Sequence, residues 1–187
     1  MEVEMQMKTA VITFGRFNPP TLGHTKLVDK VRQVARLQHA DPLVFLSHSH
    51  DTKKNPLSYQ EKFKFAKKAF GKVMQQSSSR TLIQVMQELE KFGYEKVIVV
   101  VGSDRVREFD VLLKKYNGKD YNINEIKITS AGQRDPDADG VEGMSASKMR
   151  EFAEIQDLVN FKQGLPPLLQ PKAAEVMQQV RQGLKLN

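Results

Sequence analysis

The sequence predicts an α/β fold: a doubly wound parallel sheet, Rossmann-like, followed by a C-terminal helical segment. Short apolar runs rich in β-branched residues alternate with longer stretches whose apolar residues recur at helical spacing, which is the order of βαβ units. The strongest run, Lys96–Val101 (KVIVVV), is apolar almost throughout, as is typical of a strand covered on both faces. Parallel sheets of this kind bind ligands outside the carboxyl ends of their strands.

Four strands are predicted, each a short β-branched or apolar run bounded by turn-forming or polar residues. They are Lys8–Phe14, Pro42–Ser47, Lys96–Val101 and Glu125–Thr129. Helices are predicted over about 21–38, 58–70, 81–92, 104–116, 145–155 and 171–184. The stretch 71–79 has no clear period and is assigned to neither class.

Capping residues support several of these helices. Thr21 and Ser58 are expected N-caps, and Glu61 completes a capping-box pattern with Ser58. Gly93 is expected to stop the helix before it. Ser103 or Asp104 is expected to cap the helix that follows Lys96–Val101.

The 187 residues are enough for one such domain, with a core over about 8–155 and C-terminal helices over about 156–187. The absence of cysteine excludes disulfides, thiolate metal sites and a cysteine nucleophile. Two acidic residues and no apolar segment at the N-terminus argue against a signal peptide, and the longest apolar run is too short to span a bilayer. We therefore expect a soluble, cytoplasmic protein with no membrane partner.

The net charge of +7, from 29 Lys and Arg against 22 Asp and Glu, fits either nucleic acid or a phosphate-rich small ligand. The basic residues are dispersed rather than gathered in a tract, and no Trp is present to form a stacking platform. These features favour the small ligand over nucleic acid as the main partner. The sequence leaves open whether copies of the chain form a homo-oligomer.

The segment Gly15–His24 (GRFNPPTLGH) is the first candidate site, because it joins the first strand to the first helix. Gly15 permits a sharp turn, and Gly23 leaves room at the helix start. Thr21 and His24, three residues apart, share a helix face near unsatisfied N–H groups that favour an anion. A capped helix with a surface histidine explains the same residues equally well.

This segment resembles the N-terminal signature of the HxGH nucleotidyltransferase superfamily, which includes adenylyltransferases of nicotinamide mononucleotide and phosphopantetheine, and cytidylyltransferases. Thr21 stands where many members have the first histidine, as it does in the phosphopantetheine branch. The GRF triplet that contains Arg16 resembles the same segment of the archaeal and bifunctional nicotinamide-mononucleotide enzymes. The loop also resembles phage-encoded members, which would place the protein in the host cytoplasm.

A second segment, Met144–Arg150 (MSASKMR), is similar to the ISSTxxR motif of the same superfamily. Ser145, Ser147 and Arg150 fall on its matching positions, whereas Ala146 replaces the middle serine. Two hydroxyls and a guanidinium at a helix N-terminus suit the β- and γ-phosphates of a nucleotide. An ordinary N-cap serine is the competing interpretation.

Two features between these motifs agree with the resemblance. Gly102 and Asp104 match a G-x-D motif that, by the resemblance, would line the nucleotide pocket. A basic, proline-containing loop could place either Lys53 or Lys54 on a phosphate, and we prefer Lys54. By the resemblance, the catalytic residues are His24, Arg150 and Lys54. The expected nucleotide-binding residues are Gly15, Arg16, Phe17, Asn18, Thr21, Gly23, His24, Gly102, Asp104, Ser145, Ser147 and Arg150.

Two further patterns are considered as possible metal sites, and neither is favoured. His48 and His50 have no third ligand nearby in sequence, so a polar strand end is favoured. Asp135, Asp137 and Asp139 alternate in a glycine-containing loop that lacks the EF-hand spacing, so a loop covering the site is favoured. No protein metal site is therefore expected.

The resemblance implies transfer of AMP from ATP, with Mg²⁺ carried on the triphosphate, to a phosphorylated acceptor. Nicotinamide mononucleotide, giving NAD and pyrophosphate, is the preferred acceptor because of GRF and the Gly102–Asp104 segment. A cytidylyltransferase or a phosphopantetheine-type adenylyltransferase is the alternative enzyme, although only Glu142–Gly143 match the cytidylyltransferase motif Arg-Thr-Glu-Gly. A non-catalytic binding module of the same fold is the alternative of another class.

Overall fold

The computed structural model describes residues 6–132 and 144–186, and within them five strands form one parallel sheet. The sheet order is β3-β2-β1-β4-β5. The strands are β1 (Thr9–Gly15), β2 (Asp41–Leu46), β3 (Met74–Gln75), β4 (Lys96–Val101) and β5 (Glu125–Ser130).

The order of the strands reverses at the centre of the sheet. From β1 the chain adds β2 and β3 on one side, and it then returns to add β4 and β5 on the other. The carboxyl ends of β1 and β4 therefore flank the switch point, which is where ligands bind in open α/β sheets.

Helices cover both faces of the sheet. On one face, α1 (Leu22–Gln38) and α2 (Tyr59–Phe70) pack on a cluster that includes Val11, Val44 and Ile98. On the opposite face, α3 (Leu82–Lys91) and α4 (Val106–Tyr116) pack on the alternate residues of the same strands. The expected α/β doubly wound class is confirmed.

The C-terminal segment forms a third apolar cluster beside α2. It contains α5 (Ala146–Glu154), α6 (Leu158–Gly164), a 3₁₀ helix (Pro167–Lys172) and α7 (Ala173–Gly183). Their buried side chains pack with Leu57, which precedes α2, and with Phe65, which belongs to α2.

The four predicted strands are confirmed, whereas β3 and α6 are not predicted by the sequence pattern. The strand β3 has only two residues, and α6 only seven, so neither is long enough to show its period. The predicted cap of α4 is wrong: its N-cap is Arg105, without a side-chain bond, because a short 3₁₀ helix, Ser103–Arg105, intervenes. The predicted last helix begins later, at Ala173, because Pro171 belongs to the 3₁₀ helix.

Among the described residues, none of the helices is both long and apolar enough to cross a membrane.

A glycine near the end of α7 lets that helix touch the loop before α2. A Cβ atom added to Gly183 would collide with the backbone oxygen of Pro56, and it would lie 2.8 Å from the Pro56 Cα atom. The C-terminal helix thus contacts the backbone of Pro56 directly.

Gly183→Ala is expected to lower the free energy of unfolding by about 1–3 kcal/mol, because overpacking against a backbone cannot be relieved by a rotamer change. Urea denaturation measures this change. Gln182→Ala, at the exposed neighbouring position, is the control and should have little effect. Equal stability of the two variants would contradict the contact.

Candidate functional site

The loop after β1 is built around the ring of Phe17. This buried ring stacks on the His24 imidazole, with centroids 4.1 Å apart and planes 18° from parallel. A Cβ atom on Gly15 would lie 2.8 Å from the Phe17 ring. Gly15 therefore makes room for Phe17, and Phe17 in turn fixes the plane of the imidazole.

Asn18 joins three segments of the site. Its side-chain amide donates to the Leu57 carbonyl at 3.0 Å, and its side-chain oxygen accepts from the Leu57 N–H at 2.9 Å. Its own carbonyl accepts a bond from the Arg150 guanidinium at 3.0 Å. The first loop, the loop before α2 and helix α5 are thus held together by one buried residue.

Thr21 and His24 form a reciprocal cap at the start of α1. The Thr21 hydroxyl accepts from the His24 backbone N–H at 3.4 Å, and His24 Nδ1 accepts from the Thr21 backbone N–H at 2.9 Å. Because Nδ1 accepts, the proton of the neutral imidazole resides on Nε2. The cap therefore sets both the orientation and the tautomer of His24.

The two sequence motifs meet at the carbonyl of Met144. The Thr21 hydroxyl donates to this oxygen at 2.9 Å, and a Cβ atom on Gly23 would lie 2.8 Å from it. Gly23 therefore admits the backbone of the second motif. The Thr21 hydroxyl thus bonds Met144, while its part in nucleotide binding stays a prediction.

Helix α5 begins beside this junction. The Ser145 hydroxyl caps it by accepting from the Lys148 N–H at 3.1 Å, while Ser147 is exposed in the first turn. Burial, followed by the charge of Arg16, lowers the pKa of Arg150. The first turn of α5 thus presents Ser147 to solvent and holds Arg150 against the β1 loop.

Lys62, which sequence reasoning missed, is completely buried in α2. Its ammonium donates to the Ser47 carbonyl at 2.6 Å and to the Ser47 hydroxyl at 3.2 Å, at the carboxyl end of β2. Burial, followed by repulsion from Arg16, lowers its pKa to about 8. A buried cation with a perturbed pKa is a candidate functional residue.

Arg16 connects these cations electrostatically. Its positive charge lowers the pKa of both Lys62 and Arg150, so Arg16 lies near enough to repel each of them. Arg16 itself is exposed in the β1 loop. Cations grouped around Arg16 favour a ligand with several negative charges, such as a phosphate chain.

The loop before α2 is organised by Asp51 rather than by its lysines. The Asn55 side chain and the backbone N–H groups of Lys53 and Lys54 donate to the Asp51 carboxylate, and they hold its pKa well below its usual range. The side chains of Lys53 and Lys54 are both exposed, so the structure does not distinguish between them as phosphate ligands.

The Gly102–Asp104 segment follows β4 at the switch point, as expected. Gly102 is partly buried and caps the short 3₁₀ helix that precedes α4. Asp104 lies within that 3₁₀ helix and is exposed. Ser103 donates its N–H to the Gly132 carbonyl at 3.2 Å, which ties the segment to the residues after β5.

The two weighed metal patterns have different outcomes. His48 stacks on Tyr59, and within 6–132 and 144–186 there is no group of three or more His, Asp or Glu residues placed to hold a metal ion. Asp135, Asp137 and Asp139 lie outside the described residues, as do Glu142 and Gly143.

Comparison with protein families identifies the chain. Residues 12–152 match the model of the family described as cytidylyltransferase-like, a span of well over half the chain. The chain belongs to this family. The resemblance of both motifs to the nucleotidyltransferase superfamily is thereby confirmed, while a phage origin stays a prediction.

A solved structure shares the fold of this family member. The crystal structure of a protein from Vibrio parahaemolyticus, provisionally described as a nicotinate-nucleotide adenylyltransferase, superposes with a TM-score of 0.54. The match covers 90% of this chain and 99% of that one at 18% sequence identity. No curated protein matches the chain in sequence.

Thr21→Val should lower the free energy of unfolding by about 1–3 kcal/mol, because it removes both the cap and the bond to Met144. Thr21→Ser, which keeps the hydroxyl, is the matched control and should retain most of the stability. Urea denaturation of the two variants checks this prediction. Equal losses would show that the hydroxyl does not hold the two motifs together.

Lys62→Met should change the pH dependence of stability. The folded pKa of about 8 lies below the ordinary value of 10.5, so the buried charge destabilises the protein fully below pH 8 and progressively less up to about pH 10.5. Below pH 8, the buried charge lowers the free energy of unfolding by on the order of 3 kcal/mol. The stability of wild type relative to Lys62→Met should therefore rise between pH 8 and 10.5, measured by denaturation across that range. Parallel pH profiles would contradict the depressed pKa.

Proposed function

We propose that this protein transfers AMP from ATP to nicotinamide mononucleotide, giving NAD and pyrophosphate. The observation that carries the proposal is the meeting of the α1 and α5 N-termini, where Arg150 is held against the β1 loop and Arg16 lies near both Arg150 and Lys62. Two helix N-termini and three cations match the charge of a triphosphate together with a second phosphate. Membership of the cytidylyltransferase-like family supports nucleotidyl transfer as the reaction class.

The proposed reaction is a single in-line displacement. An oxygen of the acceptor 5′-phosphate attacks the α-phosphorus, the bond from that phosphorus to the bridging β-oxygen breaks, and pyrophosphate leaves with both electrons. The phosphate nucleophile is already ionised, so positioning and charge stabilisation suffice. His24 donates from Nε2 to the α-phosphate, because its cap places the proton on that nitrogen.

The cations divide between the two substrates in this proposal. Arg150 and the α5 N-terminus, with Ser145 and Ser147, hold the β- and γ-phosphates, while the exposed Arg16 holds the acceptor phosphate and the buried charge of Lys62 adds to the positive potential there. Lys54, on the exposed loop, supplements them. The positive side chains around this site do not suit a divalent metal, so Mg²⁺ enters on the triphosphate, where it offsets negative charge during transfer.

Wild-type protein should release pyrophosphate with ATP, Mg²⁺ and nicotinamide mononucleotide. CTP and 4′-phosphopantetheine are tested in the same assay, because the family description gives cytidylyl transfer as the second candidate. Release with another pair would overturn the proposed substrates and keep the reaction class. No release with any pair would favour a binding module that has lost turnover.

His24→Ala should reduce kcat by about 100-fold or more, the usual effect of removing one transition-state donor. The KM for ATP should change much less. His39→Ala, which replaces an exposed histidine at the other end of α1, is the matched control. An unchanged kcat in a folded His24→Ala protein would exclude the proposed role of His24.

A further inference from the structure

His48 and Tyr59 form an aromatic pair beside the buried ammonium. Their rings are 3.8 Å apart and within 6° of parallel. His48 directly follows Ser47, the partner of Lys62, and Tyr59 precedes Lys62 by three residues on α2, so each residue of the pair neighbours one member of this buried contact. Both side chains are only partly buried. The pair has no part in the reaction steps described above.

Ser77 fixes the orientation of both rings. His48 Nε2 bonds the Ser77 carbonyl at 2.9 Å, and the Ser77 N–H donates to the Tyr59 hydroxyl at 3.0 Å. The hydroxyls of Ser77 and Ser79 both donate to one oxygen of Glu88, at 2.5 and 2.7 Å. The serine-rich loop after β3 is thus ordered around the pair, which is preorganised before any ligand arrives.

These bonds also define the chemistry of the imidazole edge. A carbonyl oxygen only accepts, so Nε2 must carry a proton and donate it to Ser77. In the neutral ring Nδ1 is then an acceptor, and it has no hydrogen-bond partner among the described residues. The Tyr59 ring also stacks against Phe63, with centroids 6.1 Å apart. The face that the pair can offer is therefore that of His48, with one acceptor atom at its edge.

We propose that the His48–Tyr59 pair binds the ring of the acceptor, and that the acceptor is a mononucleotide whose ring carries an N–H donor. This inference rests on the proposed function. The acceptor phosphate would lie on Arg16, the ribose would span to the pair, and an amide N–H would donate to His48 Nδ1. Such a site favours a carboxamide over a carboxylate, which offers no donor and only acceptors.

The competing interpretation is that the pair only secures the loop after β3. A purely structural role predicts that replacing His48 affects both substrates alike through stability. A ring-binding role predicts a selective effect on the mononucleotide, because stacking contributes to the binding of that substrate alone. The KM for each substrate separates the two interpretations.

His48→Ala should raise the KM for nicotinamide mononucleotide about tenfold, the usual size of one lost base-stacking contact. The KM for ATP should stay within about twofold, since ATP does not use the pair in this proposal. His50→Ala, an exposed histidine two residues away, is the matched control and should leave both constants unchanged. An unchanged acceptor KM, or an equal rise for ATP, would overturn the proposal.

His48→Phe tests the edge acceptor separately, because it keeps an aromatic ring and removes both nitrogens. Wild type should prefer nicotinamide mononucleotide to nicotinate mononucleotide, and His48→Phe should lose most of that preference. A wild type that prefers the carboxylate, or a variant with unchanged preference, would overturn this part.

A direct measurement of mononucleotide binding tests the ring site without requiring catalytic turnover. Calorimetric titration with nicotinamide mononucleotide alone should show about tenfold weaker binding to His48→Ala than to wild type. If wild type turns over no acceptor but this difference is found, the proposed reaction fails and the ring site stands. Equal affinities, or no binding to wild type, would overturn the ring site itself.

Discussion

The hydrogen bond from Thr21 to the Met144 carbonyl joins residues 123 positions apart and brings the N-termini of α1 and α5 together. Each N-terminus carries partial positive charge, so in the absence of an anion the two ends repel. The bond, with the contact that Gly23 permits, holds them in place against this repulsion. The site is therefore assembled in advance for negative charge.

The C-terminal helices supply the packing that this arrangement requires. Met149 of α5 is fully buried among α6, the 3₁₀ helix and α7, and Gly164 of α6 lets the side chains of Met144 and Met149 approach. Leu57 belongs to the same cluster and is bonded by Asn18 on both backbone groups. Apolar burial in this cluster offsets the electrostatic cost of the neighbouring cations. The residues beyond the family match thus stabilise the site without belonging to either motif.

Much of this arrangement could be predicted from sequence because the relevant signals are local. The strand β4, the caps at Thr21 and Ser58, and the two motifs each depend on residues close in the chain. Lys62 could not be found in this way, because a lysine on a helix is ordinarily exposed and its partner Ser47 is set by tertiary packing. The bond from the Thr21 hydroxyl to Met144 could not be predicted for the same reason, since Met144 becomes its neighbour only in the folded chain.

Two motif positions of this chain differ from the superfamily pattern. Thr21 replaces a histidine and is bonded to Met144, and Ala146 removes a hydroxyl from the second motif. Both changes leave fewer neutral hydrogen-bond donors for a ligand. Under the proposed function, the positive charges of Arg16 and Arg150 compensate, because charge-assisted bonds to phosphate are about twice as strong as neutral ones. Recognition would then rely more on charge than on hydroxyl groups. The depressed pKa of Lys62 reflects its burial and the nearby charge of Arg16.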